Sequence, residues 1–187
     1  MFEAQLVLIA SSAAFVILLT VGLMVWLHRT AAQRALRKRI KAAAHAWRSD
    51  VFLPDGLDGY IHIDHLLLTD DAILVLDIKR PHGAIFGAPR MDEWTVIDRN
   101  SRHTLRNPLN ALTDRTGAVK ALVPGVEVHG LVVFLQGEFP KGVPPQVIRV
   151  DELPAAESSE PGAALIEAWQ RLESAMTEAG QAVRAHG

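Results

Sequence analysis

Three charged residues at the ends of two neighbouring apolar segments could carry metal-dependent chemistry. Asp77 and Lys79 follow an apolar run, residues 72–76, and as members of one strand two positions apart they project from the same face. Asp64 lies on the preceding predicted strand, Tyr60 to Leu68. A hairpin turn centred on residues 70–71 pairs Asp64 directly with Asp77, which places their Cβ atoms roughly 4.5–5.5 Å apart.

This arrangement predicts a metal centre. Two carboxylates at that separation repel each other unless a proton or a cation lies between them. Mg²⁺ prefers oxygen ligands and fits such a gap, and Mn²⁺ is the alternative ion. The ammonium of Lys79 could orient or activate a water molecule, or stabilise charge developing on a phosphate. The residues therefore predict Asp64 and Asp77 as metal ligands, and Asp64, Asp77 and Lys79 as catalytic residues. The open alternative is a pair of solvated acids at strand ends, because acid-x-Lys triplets are common.

The elements around these residues indicate an α/β fold. A helix begins at Pro108, and buried strands follow at Leu131–Leu135 and Gln146–Val150. A hairpin is predicted from Gly83–Phe86 and Glu93–Ile97, and a last helix begins near Ser158–Pro161. We expect a mixed central sheet that is flanked by helices.

The composition excludes several kinds of site, and the charged residues are distributed unevenly along the chain. The 187 residues include no cysteine, which rules out disulfides, thiolate nucleophiles and Cys-based zinc sites. The net charge of −2 is the sum of unlike parts. Residues 4–27 carry no charge, residues 28–49 hold seven basic residues and no acid, and the remainder is acidic.

The uncharged run predicts a transmembrane anchor. Its 24 residues would form a helix of about 36 Å, which is longer than the hydrocarbon core of about 30 Å. A cleaved signal peptide is the competing interpretation, but there the basic residues precede a shorter apolar stretch. The basic residues here follow the run, which predicts a single-pass protein of the inner (cytoplasmic) membrane with its body in the cytoplasm.

The basic segment is predicted to continue as a juxtamembrane helix over residues 29–49. Leu36, Ile40, Ala43 and Trp47 recur at helical spacing beside the basic surface. Contact with anionic lipid is the favoured interpretation because the segment lies next to the predicted anchor. Contact with the phosphates of a nucleic acid is the alternative.

A series of motifs in the body resembles the nuclease-related domain (NERD) family. They are Ile63-Asp64-His65-Leu66-Leu67-Leu68, Val75-Leu76-Asp77-Ile78-Lys79, Gly83-Ala84-Ile85-Phe86-Gly87 with Trp94, and Asn107-Pro108. This family is similar to the PD-(D/E)XK restriction-endonuclease superfamily. The resemblance implies a restriction-endonuclease-like core and Mg²⁺-dependent cleavage of DNA. It assigns the first motif acid to Asp64, the second to Asp77 and the catalytic lysine to Lys79.

The motifs depart from the family pattern at three positions. Active members of the superfamily commonly carry a glutamate on the helix before the first motif strand, and residues 28–49 contain no acid. Asp77 stands where the family more often has glutamate, and Ala111 stands where it tends to have glutamine. The missing glutamate favours a second hypothesis, a catalytically inactive, membrane-tethered module that binds nucleic acid or protein and retains the nuclease fold.

The predicted organisation has four parts. Residues 1–28 form the anchor, 29–49 the basic helix, 50–153 the nuclease-related domain, and 154–187 a linker and helix. DNA is a possible partner, because the stretch from Lys79 to Lys120 has eight basic and four acidic residues. The phosphate-contact candidates are Arg99, Arg102, Arg106 and Arg115, with a solvated surface as the alternative. The oligomeric state stays unknown.

Overall fold

The computed structural model describes residues 17–24, 31, 33–156 and 159–186. Contacts between Cα atoms divide the chain into two units, Met1–Arg37 and Lys38–Gly187. In the first unit, residues 17–24 are helical, and their large apolar side chains are exposed. Among the helices that the structure describes, none combines the length and the apolar character needed to cross a bilayer. Most of the predicted anchor, residues 1–16 and 25–28, lies outside the described residues.

Most of the described strands follow one another along the chain, with a helix before the first strand, a helix between the sixth and seventh strands, and a helix at the end. Helix α1 covers residues 33–43. The remaining elements are β1 (Ala46–Pro54), β2 (Tyr60–Leu68), β3 (Ile73–Lys79), β4 (Ala84–Phe86), β5 (Glu93–Asp98), β6 (Ser101–Arg106), α2 (Pro108–Leu122), β7 (Val128–Phe134), β8 (Val147–Arg149) and α3 (Ala163–His186).

Five strands form a mixed central sheet in the order β1-β2-β3-β7-β8. The pairs β1–β2 and β2–β3 are antiparallel, and β3–β7 and β7–β8 are parallel. Strand β3 is buried from Ile73 to Asp77, as expected for a central strand covered on both faces. Strands β4, β5 and β6 form a second, antiparallel sheet. The predicted α/β fold with a mixed central sheet flanked by helices is confirmed.

The hairpin register is the feature that positions the candidate site, and its prediction is confirmed for residues 65–68 opposite residues 73–76. Strands β2 and β3 pair from Leu68 opposite Ile73 to His65 opposite Leu76. The turn between them is closed by Thr69, whose backbone N–H and side-chain hydroxyl both donate to the carbonyl of Ala72. The next position along this register brings Asp64 beside Asp77.

One core cluster supports this end of the sheet. Leu66 and Val75, which pair across the hairpin, pack in it with Leu112 of α2 and Leu172 of α3. Because alternate residues of a strand share a face, Asp77 lies on the same face of β3 as Val75. That is the face on which α2 packs.

The predicted basic helix over residues 29–49 is wrong at its C-terminal end. The helix ends at residue 43, and Ala46–Pro54 form the edge strand β1, antiparallel to β2. Trp47 therefore pairs opposite Leu67 in the sheet instead of continuing the helical stripe. Pairing with the edge of β2 and packing against α3 outweigh the helix-forming composition of this segment.

Candidate active site

The centre of the site is the carboxylate of Asp77, which is 1% exposed. Strand β3 carries it on the face that α2 covers, so the sheet and the helix exclude water from it. Each of its oxygens contacts a cationic side chain: Oδ1 lies 2.8 Å from Nζ of Lys79, and Oδ2 lies 2.9 Å from Nη1 of Arg115. A buried carboxylate is tolerated when it is paired in this way.

Electrostatics at Asp77 are dominated by burial. Removal from water raises the pKa of Asp77 above its ordinary value, and the negative charge of Asp64 raises it further. The charges of Lys79 and Arg115 oppose this rise but do not cancel it. Any additional positive charge close to Asp77 would therefore stabilise its ionised form.

Asp64 lies beside this centre but is held differently. The described pairing of β2 with β3 stops at His65–Leu76, and beyond it Oδ2 of Asp64 accepts a hydrogen bond of 2.7 Å from the backbone N–H of Ile78. Oδ1 of Asp64 lies 3.6 Å from Nδ1 of His62. The side chain thus replaces a ladder hydrogen bond at the point where the two strands separate. It also borders a cavity of 330 Å³ lined by Ser49, Asp50, Asp64, His65, Ile78 and Arg80.

All three predicted site residues lie at this end of the hairpin. Asp77 and Lys79 are in direct contact. Asp64 is near enough for its charge to act on Asp77 and is tied to the residue between Asp77 and Lys79. Their assignments as metal ligands and catalytic residues stay predictions.

Arg115 is a site residue whose role the sequence reasoning missed. The sequence predicts it as one of the arginines that could contact DNA, but its guanidinium points inward: Nε donates to the carbonyl of His62 at 2.7 Å, and Nη1 donates to Asp77. Its position offered a signal, because it lies three residues after Leu112 and four before Val119, both buried on α2. An arginine on the buried stripe of a helix needs an acidic partner.

Asp50 is a second residue that the predictions did not include. It lies on β1, and its backbone is left-handed with φ 55°. Its Oδ1 lies 2.6 Å from Nε2 of His62, so that His62 stands between the carboxylates of Asp50 and Asp64. The predicted helix through residue 49 would not place Asp50 next to β2. The edge strand β1 does, and the sequence prediction did not include that strand.

The site includes carboxylate side chains of the kind that bind a hard divalent cation, but few of them. Asp64 and Asp77 have carboxylate oxygens, which are ligands that such a cation prefers, and Lys79 and Arg115 supply positive charge to Asp77. Within the described residues, no group of three or more His, Asp or Glu side chains is arranged to hold a metal ion. With Asp64 and Asp77 as its ligands, a cation at this end of the hairpin would therefore be held by two carboxylates and not by a full protein cage.

Comparison with known protein families gives a match. A family model described as "nuclease-related domain" matches residues 27–135, which is more than half of the chain. No curated protein and no solved structure matches the chain. The matched segment contains α1, β1 to β6, α2 and β7, and hence Asp64, Asp77, Lys79 and Arg115.

Proposed function

The chain belongs to the nuclease-related domain family, and from this membership we propose that it is a membrane-anchored protein that hydrolyses DNA phosphodiesters with the help of Mg²⁺. Similarity to the PD-(D/E)XK superfamily supports the reaction type. The observation that carries the proposal is the contact between the buried carboxylate of Asp77 and the ammonium of Lys79, with Asp64 on the adjacent strand.

Each side chain has a role in this proposal. Asp64 and Asp77 would hold the cation, with Mn²⁺ as a possible substitute. When bound, the cation would supply Lewis-acid polarisation of the phosphate. Lys79, held 2.8 Å from Asp77, would orient the attacking water or stabilise charge on the phosphate oxygens. The cavity beside Asp64 offers open space at the hairpin end for a substrate group.

A cleavage assay tests the reaction. The full chain in non-ionic detergent is incubated with duplex and single-stranded DNA in Mg²⁺, in Mn²⁺ and in EDTA. We expect cleavage that requires a divalent ion and is lost in Asp77→Asn and Lys79→Met. Lys141→Met is the matched control, because this lysine is exposed and remote from the hairpin in sequence. Cleavage that persists in EDTA or in Lys79→Met contradicts the proposal.

Attachment to the membrane is the second part of the proposal. It is supported by the uncharged run of residues 4–27 and by the exposed apolar side chains of the described helical residues 17–24. The seven basic residues between 28 and 49 favour a cytoplasmic body and contact with anionic lipid. The proposed location is the inner (cytoplasmic) membrane, with one pass.

Extraction experiments test the anchor. The full chain should remain with membranes in high salt and in alkaline carbonate, and deletion of residues 1–28 should release it. Salt alone should release a protein held only by its basic segment, since ionic attraction to lipid is screened. Release of the intact chain by salt therefore contradicts the span.

Two observations favour the alternative of an inactive module. Among the described residues, no third side chain joins Asp64 and Asp77 in a group that could hold a metal ion, and both oxygens of Asp77 already have cationic partners. Binding without cleavage would then use exposed basic side chains, of which Arg99, Arg102 and Arg106 lie on or next to β6. DNA binding that is unaffected by EDTA, together with no cleavage in any metal, is the result expected for this alternative.

A further inference from the structure

Arg115 donates hydrogen bonds to two different strands of the central sheet. Its Nε donates to the carbonyl of His62 on β2, and its Nη1 donates to Oδ2 of Asp77 on β3. The side chain is 18% exposed, so its positive charge is largely removed from water. One arginine therefore joins α2 to two strands and supplies half of the positive charge that contacts Asp77.

The charge of Asp77 and the three charges that act on it balance in this arrangement. The carboxylates of Asp64 and Asp77 contribute two negative charges, and Lys79 and Arg115 contribute two positive ones. A divalent ion added to the intact set would leave two excess positive charges in a poorly solvated region. Exchange of Arg115 for the ion leaves only one, and it frees Oδ2 of Asp77.

Lys79 is the less suitable group to leave. It lies two residues from Asp77 on the same strand and contacts the other oxygen, Oδ1. Arg115 comes from a different element, and its departure from Asp77 requires a change of side-chain conformation on α2 without movement of β3. Its guanidinium keeps a second acceptor, the carbonyl of His62.

We propose that Arg115 and a divalent cation compete for Asp77, so that Arg115 is the resident cation of the metal-free centre and leaves when the ion enters. This inference rests on the proposed function, because it takes Asp64 and Asp77 as the metal ligands. Arg115 is thereby a positioning residue that sets the affinity of the centre for metal.

A titration of the full chain with MnCl₂ tests the competition, with the free Mn²⁺ followed by its electron paramagnetic resonance signal. Arg115→Met should bind Mn²⁺ about tenfold or more tightly than the wild type, since close charge pairs couple by at least that factor. Arg90→Met is the matched control, because Arg90 is exposed in the loop between β4 and β5, and it should bind as the wild type does.

The outcomes separate the two proposals. Equal or weaker binding by Arg115→Met, with clear binding by the wild type, overturns the competition and leaves the proposed function standing. Binding by Arg115→Met alone supports the competition and contradicts a metal-dependent activity of the wild type. Absence of binding in both overturns the metal site and the competition together.

A measurement on the wild type covers the case in which Arg115→Met fails to fold. The side-chain N–H signals of Arg115, assigned by their absence in Arg115→Lys, are followed by nuclear magnetic resonance during addition of Mg²⁺. They should shift with increasing Mg²⁺, while those of Arg90 stay in place. Signals of Arg115 that do not move, under conditions in which bound metal is detected, overturn the competition.

Discussion

The side chain of Asn107 connects helix α2 to the loop between β4 and β5, and its contacts allow a graded prediction. It is 3% exposed and makes three hydrogen bonds. Its Oδ1 accepts from the backbone N–H of Leu109 at 3.0 Å and so caps α2, while Nδ2 donates to the carbonyls of Pro89 at 3.0 Å and Met91 at 2.8 Å. Asn107→Ala removes all three, and Asn107→Ser can keep the cap alone.

The number of hydrogen bonds sets the expected magnitudes. At about 1 kcal/mol for each bond, Asn107→Ala should lower the free energy of unfolding by about 3 kcal/mol, and Asn107→Ser by about 2 kcal/mol. Asn107→Asp keeps the cap but turns a carboxylate oxygen toward two carbonyls. It should therefore be at least as unstable as Asn107→Ser at neutral pH, and should recover in acid, where the protonated oxygen can donate again.

Urea denaturation of the full chain, followed by tryptophan fluorescence, measures these differences. Trp94 is a suitable reporter because it is buried and its Nε1 donates to Ala88 in the same loop. The corresponding loss in melting temperature for Asn107→Ala is about 6–12 °C, at about 2–4 °C for each kcal/mol. A Ser variant as stable as the wild type would refute the contribution of the two loop contacts. An Asp variant that is the most stable of the three would refute the reasoning on the carbonyls.

Three further predictions concern the centre, the packing of the second sheet and helix α2. Arg115→Met should lower the free energy of unfolding by about 3 kcal/mol at pH 7, because the buried Asp77 loses a partner. The loss should be smaller at about pH 4.5, because burial raises the pKa of Asp77, removal of the guanidinium raises it further, and a protonated Asp77 needs no cation. Urea denaturation at both pH values measures the two losses. Equal losses would contradict this reasoning. Gly87→Ala should cost about 1–3 kcal/mol, because the added methyl group meets the buried ring of Trp94. Gly117→Ala in α2, where the methyl group has open space, should instead stabilise the chain by about 0.5–1 kcal/mol, and the two melting temperatures should move in opposite directions.

The sequence by itself determined the hairpin of β2 and β3 and the end of it at which Asp64 and Asp77 lie. A polar turn at residues 69–71 between two apolar segments fixes the register of β2 and β3, because a shift by one residue would turn every buried side chain to the other face. The same local reasoning predicted helix α2 from Asn107-Pro108 and the buried strand that became β7. These elements depend on contacts between residues that are near in sequence.

Only the tertiary structure decided which residues from distant segments join that hairpin. Residues 46–49 have a helix-forming composition, yet they form part of β1 because the edge of β2 offers them backbone hydrogen bonds. Strand β6 is polar and without alternation, and pairing with β5 alone makes it a strand. Arg115 contacts Asp77, which lies 38 residues away in the sequence, and no local periodicity predicts that contact. The free energy of a buried charge pair depends on how α2 packs on the sheet, which is a property of the folded chain as a whole.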